Sequence, residues 1–183
     1  LGLASPTGAE VSEAEGQLTW SEDDNYQAGL TLMAAIGQGN TAVTPAQLAV
    51  YAATLANYGQ RPTLHFADHA VSTATGETVW EYEPQFTTVP GGETVFGPIR
   101  DGMKRMAQTN RYLREAPVVC AAKTGSPQLA QTLPNGTHYV NSVLIGYAPA
   151  DDPQIAVAVV LEYGGGGSNA TPVLRAVLDA WFG

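Results

Sequence analysis

The chain is short of positive charge, cysteine and long apolar runs, and each shortage closes off a class of protein. Only 8 lysines and arginines face 17 acidic residues, giving a net charge of −9. No basic stripe exists to neutralise phosphates, so nucleic acid is not expected as a partner. Docking to an anionic membrane surface is disfavoured for the same reason. The single cysteine, Cys120, cannot form an internal disulfide. It lies in an apolar run just ahead of Lys123 and reads as a small buried hydrophobe rather than a nucleophile. The histidines, His65, His69 and His138, have no metal-ligand spacing with Cys or clustered carboxylates, so no metal is expected. His138 follows the turn Pro134-Asn135-Gly136 and reads as a loop residue, not a general base. The longest apolar stretch, Ile155 to Leu161, falls far short of the roughly 20 residues that cross a bilayer. Leu1 to Pro6 has neither basic residues nor a long apolar core, so no signal peptide is read there. Gly164 to Gly167 is no phosphate loop, because the run does not end in Gly-Lys-Ser/Thr.

What is present suits one folded unit. At 183 residues, with 44% hydrophobic content and 20 glycines, the chain can bury a core. Its pattern predicts an α/β domain of α+β type, an antiparallel sheet flanked by helices. Residues 1–43 read as an irregular lead-in. A helix is expected over 44–59, with Thr44 as N-cap, Pro45 at the first position, Gln47 closing a capping box and Gly59 as the stop. Leu48, Tyr51, Ala52 and Leu55 form its apolar face. Residues 63–82 carry a peripheral hairpin signal, and a second helix is expected over about 98–108, with Ile99, Met103 and Met106 on one side. Strands are expected near 118–126, 139–147 and 154–162. A closing helix follows from about Thr171, with Val173, Leu174, Val177, Leu178 and Trp181 as its stripe. The strand 155–161 is apolar on both sides, which marks it as covered on both faces.

The most informative residues are Lys123-Thr124-Gly125-Ser126, at the end of the small, partly β-branched run Ala116 to Ala122. On a strand, Lys123 and Gly125 face one way while Thr124 and Ser126 face the other. An anionic ligand suits such an edge. Gly125 admits it close to the backbone, the two hydroxyls can donate to a carboxylate, and Lys123 supplies positive charge. A chance occurrence of this pattern in a chain of this length is about one in a hundred. Standing alone, a solvated strand end before the turn at Pro127 would be the better explanation.

It does not stand alone. The segment from Ala121 to Leu129, the strand pair around Ala148-Pro149-Ala150-Asp151, and the helix from Thr171 resemble the end of a penicillin-binding protein transpeptidase domain. Gly37-Gln38-Gly39, Val43-Thr44-Pro45 and Gln47-Leu48-Ala49 resemble a helix of the same family, and Leu1 to Glu10 a segment beyond its Ser-x-Asn motif. The Gly-Gln-Gly wording and the Ala-Pro-Ala-Asp turn look more like the monofunctional class B enzymes. The resemblance implies a partial serine transpeptidase/β-lactamase-like fold, with residues 1–183 as the C-terminal part of one transpeptidase domain. It also implies a reaction in which a serine attacks the D-Ala-D-Ala carbonyl of a peptidoglycan stem peptide, needing no cofactor. β-Lactams would mimic the donor, and the parent protein would act outside the cytoplasmic membrane. Lys123 would supply catalytic potential, Thr124 and Ser126 would bind the substrate carboxylate, the Ser126 N–H would serve the oxyanion hole, and Gly125 would keep the path open.

The family's chemistry needs Ser-x-x-Lys and Ser-x-Asn as well as Lys-Thr-Gly. Neither of the first two occurs, so the chain holds no nucleophile, and by itself it is expected to be inactive. Pro127 follows the motif where the family more often has a small non-proline residue. Asn141 stands where His or Asp is expected, which puts a substrate contact there in doubt. A serine β-lactamase or β-lactam sensor shares the Lys-Thr-Gly strand, and a catalytically inactive partner-binding module of the same fold also fits. The 155–161 strand is left with an open edge, which the resemblance fills with a strand from the N-terminal half. That half as a companion chain, or self-association, is the expected way to cover it.

Overall fold

The computed structural model describes residues 1–18 and 27–183. In chain order the elements are α1 (Ala28–Ala35), α2 (Pro45–Ala56), β1 (Gln60–Pro62), β2 (His69–Val71), β3 (Thr78–Glu81), β4 (Phe86–Thr88), α3 (Gly92–Thr109), β5 (Ala121–Gly125), β6 (Gln128–Thr132), β7 (His138–Val140), β8 (Ser142–Ala148), β9 (Ile155–Leu161) and α4 (Thr171–Phe182).

Helix α2 begins as its sequence dictates. The Gln47 N–H donates to Thr44 Oγ1 at 3.1 Å, and the Thr44 N–H donates back to Gln47 Oε1 at 2.9 Å. The buried Gln47 amide also donates to the carbonyls of Ser5 (2.9 Å) and Glu15 (2.7 Å), so the cap fastens the N-terminal segment to the helix. Beyond Asn57 the chain turns at Gly59, with φ of 93°; a Cβ there would lie 2.5 Å from the Phe96 ring.

Three strands make the central antiparallel sheet, in the order β5-β8-β9. Lys123 is opposite Ile145, Gly125 opposite Val143, and Val143 opposite Val160. Alternation sends the two sides of these strands to different partners. Ala121, Ile145 and Tyr147 pack with Ala52 and Leu55 of α2 and Phe96 and Met103 of α3. Ala122, Leu144 and Val159 pack with Leu174 and Leu178 of α4. Both leucines are fully buried, each worth about 1.5–3 kcal/mol of apolar transfer. The sheet is thus covered on both faces, and among the described residues β9 pairs along one edge only.

Several boundaries differ from expectation. Helix α3 starts at Gly92, not near 98, and carries Pro98 inside. Pro98 is exposed, and Phe96, Arg100, Met103 and Ala107 form the buried face. Ile99, expected on that face, is 40% exposed. Proline removes one helical N–H bond, here on the solvent side, so the helix runs through it. On α4, Val173 and Trp181 face solvent, while Phe182 joins the core. The 63–82 hairpin is confined to β2 and β3, and β1 pairs with β4 across it, so neither reaches the free edge of β9. The lead-in contains α1 and a bridge between Gln17 and Ala42; its residues 19–26 lie outside those described. No described helix is long and apolar enough to cross a membrane.

Candidate active site

Strand β5 carries Lys123, Thr124 and Gly125 to its C-terminal end, and Ser126 follows one residue beyond. Because Ala121 packs against α2 and α3 while Ala122 packs against α4, alternation puts Lys123 on the α2 side and Thr124 on the α4 side. Lys123 is exposed, and its Nζ donates to the Thr124 carbonyl at 2.7 Å. No carboxylate among the described residues lies within salt-bridge distance of it. An ammonium has three donors, so two remain for a ligand.

A groove of about 560 Å³ opens beside this strand end. Its floor is the row Gly125, Val143 and Val160, and its far wall is the Gly37-Gln38-Gly39 segment with Leu48 of α2. Gly125 and Ser126 line it; Lys123 and Thr124 stand next to it in the strand without lining it. A Cβ on Gly125 would meet only Val143 within 4 Å, at an ordinary 3.7 Å. The glycine therefore keeps space for a ligand rather than relieving a clash with its strand neighbour.

The run after β9 folds over the same strand end. The Gly165 N–H donates to the Val140 carbonyl (2.9 Å), the Tyr163 N–H to Asn141 Oδ1 (2.9 Å), and the Gly167 N–H to Ser126 Oγ (2.8 Å). Tyr163 adopts a left-handed φ of 55°, which the Asn141 bond holds, and its ring meets Tyr139 edge-on at 5.0 Å. Asn141 lines the groove, but its amide oxygen is committed to the loop. The latching role of 163–167 was missed in the sequence. Its only signal was four glycines two residues after an apolar strand.

The other residues considered lie elsewhere. His138 opens β7, its Nδ1 2.7 Å from the Leu129 carbonyl across the β6–β7 hairpin. That hairpin rises from Pro127, which ends the strand. Cys120 is buried, and desolvation pushes its thiol above the usual value. It packs in the α4-side core, away from the groove.

Fold and site together define a mixed α/β domain whose edge strand presents Lys-Thr-Gly-Ser at a groove. The family model for the penicillin-binding protein transpeptidase domain matches residues 2–179, and the chain belongs to that family. Among relatives, peptidoglycan D,D-transpeptidase MrdA of Acinetobacter baumannii is 30% identical over 99% of this chain and 30% of its own length. Penicillin-binding protein 2A of Bacillus subtilis is 31% identical over all of this chain and 27% of its own. Among solved structures, penicillin-binding protein A from M. tuberculosis, as a ceftriaxone acyl-enzyme complex, superposes with a TM-score of 0.85 at 26% identity, covering 98% of this chain and 40% of that one. The chain thus spans about a third of the length of the curated relatives it matches.

Proposed function

We propose that this chain supplies the Lys-Thr-Gly wall of a peptidoglycan D,D-transpeptidase active site, whose acyl-accepting serine lies on residues outside it. The observation that carries this is the placement of residues 123–126 at the strand end: Gly125 and Ser126 line the groove, and Lys123, beside it in the strand, keeps two unspent ammonium donors. A stem peptide ending in D-Ala-D-Ala, or a β-lactam, brings a carboxylate to Thr124 and Ser126. The Lys123 ammonium supplies positive potential that stabilises that carboxylate and the attacking serine oxygen. The serine adds to the carbonyl carbon, the carbonyl oxygen takes up negative charge, and the Ser126 N–H stabilises it. Collapse expels D-Ala, whose nitrogen takes up the proton that the serine hydroxyl gives up. An amine of a second strand then displaces the serine from the acyl group and returns a proton to the serine oxygen; a β-lactam opens its ring in the same way and stays attached. The named activity of MrdA and the acyl-enzyme state of the M. tuberculosis protein favour this reading over a module that only binds partners. The parent protein would work at the outer face of the cytoplasmic membrane, where its substrate is.

The test compares this chain with a protein carrying it together with the serine-bearing residues. Fluorescent penicillin is expected to label the complete domain and to leave the 183-residue chain unlabelled. Specific labelling of a serine within this chain would overturn the assignment.

A further inference from the structure

The Ser126 hydroxyl is not a free rotor. Among the described residues it accepts one hydrogen bond, 2.8 Å from the Gly167 N–H, and donates none. A hydroxyl has one proton and two lone pairs. With a lone pair filled by Gly167, the proton swings away from that N–H. Ser126 lines the groove and Gly167 does not, so Gly167 acts from behind the serine.

The contact is built into two backbones. A Cβ on Gly167 would fall 2.5 Å from the Gly125 carbonyl oxygen and 2.9 Å from its nitrogen, with no flexible side-chain end to yield. Glycine is therefore required at 167 for the loop to lie on the motif strand. Gly166, one residue earlier, has no atom within 4 Å of an added Cβ and has an ordinary φ of −66°.

We infer that Gly167 is a positioning residue: its N–H fills one lone pair of the Ser126 hydroxyl and turns the proton toward the terminal carboxylate of the ligand, which favours acids over their neutral analogues. A carboxylate only accepts hydrogen bonds; an ester or amide terminus gains much less from a charge-assisted donor. The inference rests on the proposed acylation chemistry and names a determinant of its specificity.

The experiment measures second-order acylation of the complete domain by benzylpenicillin and by its methyl ester. Ser126→Ala is expected to slow the acid about 10- to 100-fold, the range of a hydrogen bond to a charged group, and the ester less than about twofold. Gly167→Ala should reproduce that pattern, Gly166→Ala should match the parent, and Ser126→Ala with Gly167→Ala should add little to either alone. If Ser126→Ala slows both ligands equally or neither, the carboxylate role of Ser126 fails and takes this inference with it. If Ser126→Ala discriminates but Gly167→Ala does not, only the role of Gly167 fails. Should Gly167→Ala not fold, amide exchange decides: the Gly167 N–H is expected to exchange faster in Ser126→Ala, and an unchanged rate overturns the inference.

Discussion

Lys123 stands exposed beside the groove, and among the described residues its ammonium donates to the Thr124 carbonyl alone. Removing it should leave the fold intact, since the side chain is exposed. In the complete domain, Lys123→Ala is expected to cut acylation by roughly 10² or more, the usual loss for one preorganised electrostatic group. Thr124→Val should cost less, because Ser126 still donates. An unchanged acylation rate in Lys123→Ala would remove this site assignment. Two carboxylates act differently, on structure. Glu13 accepts from the Thr7 hydroxyl and from the Gly8 and Ala9 N–H groups, and Glu10 accepts from the Phe66 and Ala67 N–H groups. These bonds, the Thr7 hydroxyl foremost for Glu13 and the Phe66 N–H for Glu10, hold both below the ordinary carboxylate value. A depressed folded-state value means that the stabilisation is complete above about pH 4.5 and is lost as the pH falls through the lowered values. Amide protection at Gly8 and Phe66, measured against the intrinsic exchange rate at each pH, should therefore fall on acidification through that window, and Glu13→Gln should remove that pH-dependent change in protection at Gly8.

At the scale of elements, legibility followed local chemistry. Helix α2 was readable because its cap is written in four consecutive residues, Thr44 to Gln47. The start of α3 was not, because Pro98 reads as a first-turn residue and nothing local shows that its missing N–H would face water. Helix α1 was overlooked because Leu30, Leu32, Met33 and Ile36 surround it with apolar residues and give no sided pattern. The β6–β7 hairpin buries none of its residues fully and mixes Leu129, Tyr139 and Val140 with polar neighbours, so no clean alternation marks it. The linear part of the site, residues 123–126, was legible as a motif. Gly167 was not, since its bond to Ser126 joins residues 41 apart. Arg100 is a similar case. Buried on α3, it donates to the Ala56 carbonyl at the end of α2 and to the Ala150 carbonyl in the β8–β9 turn, with its guanidinium 4.1 Å from the Tyr58 ring centroid. Arg100→Met is expected to destabilise the complete domain by roughly 2–4 kcal/mol, because two buried carbonyls lose their donor. Denaturant melts would measure it, and a loss below about 0.5 kcal/mol would deny Arg100 this role.

For the whole molecule, the second edge of β9 is expected to decide behaviour in solution. Among the described residues, Ile155 to Leu161 is an apolar strand paired with β8 alone, and the small hairpins lie elsewhere. Such an edge is a template for further pairing. The 183-residue chain by itself is expected to self-associate through this strand, or to need the serine-bearing residues as a companion. Sedimentation with amide exchange would check it. A cooperatively melting monomer with protected amides throughout 155–161 would contradict it.

The strand that bears Lys123 and the strand with the open edge are separated by β8 alone, about 10 Å at ordinary strand spacing. The proposed function thus gives one margin of the sheet to chemistry and the opposite margin to cohesion. Substitutions at the two margins should surface in different assays, those near Gly125 as lost turnover in soluble protein and those near Val159 as lost solubility in protein that still turns over. A screen that scores only activity in cells would merge these two kinds of failure, while yield and specific activity measured together would separate them.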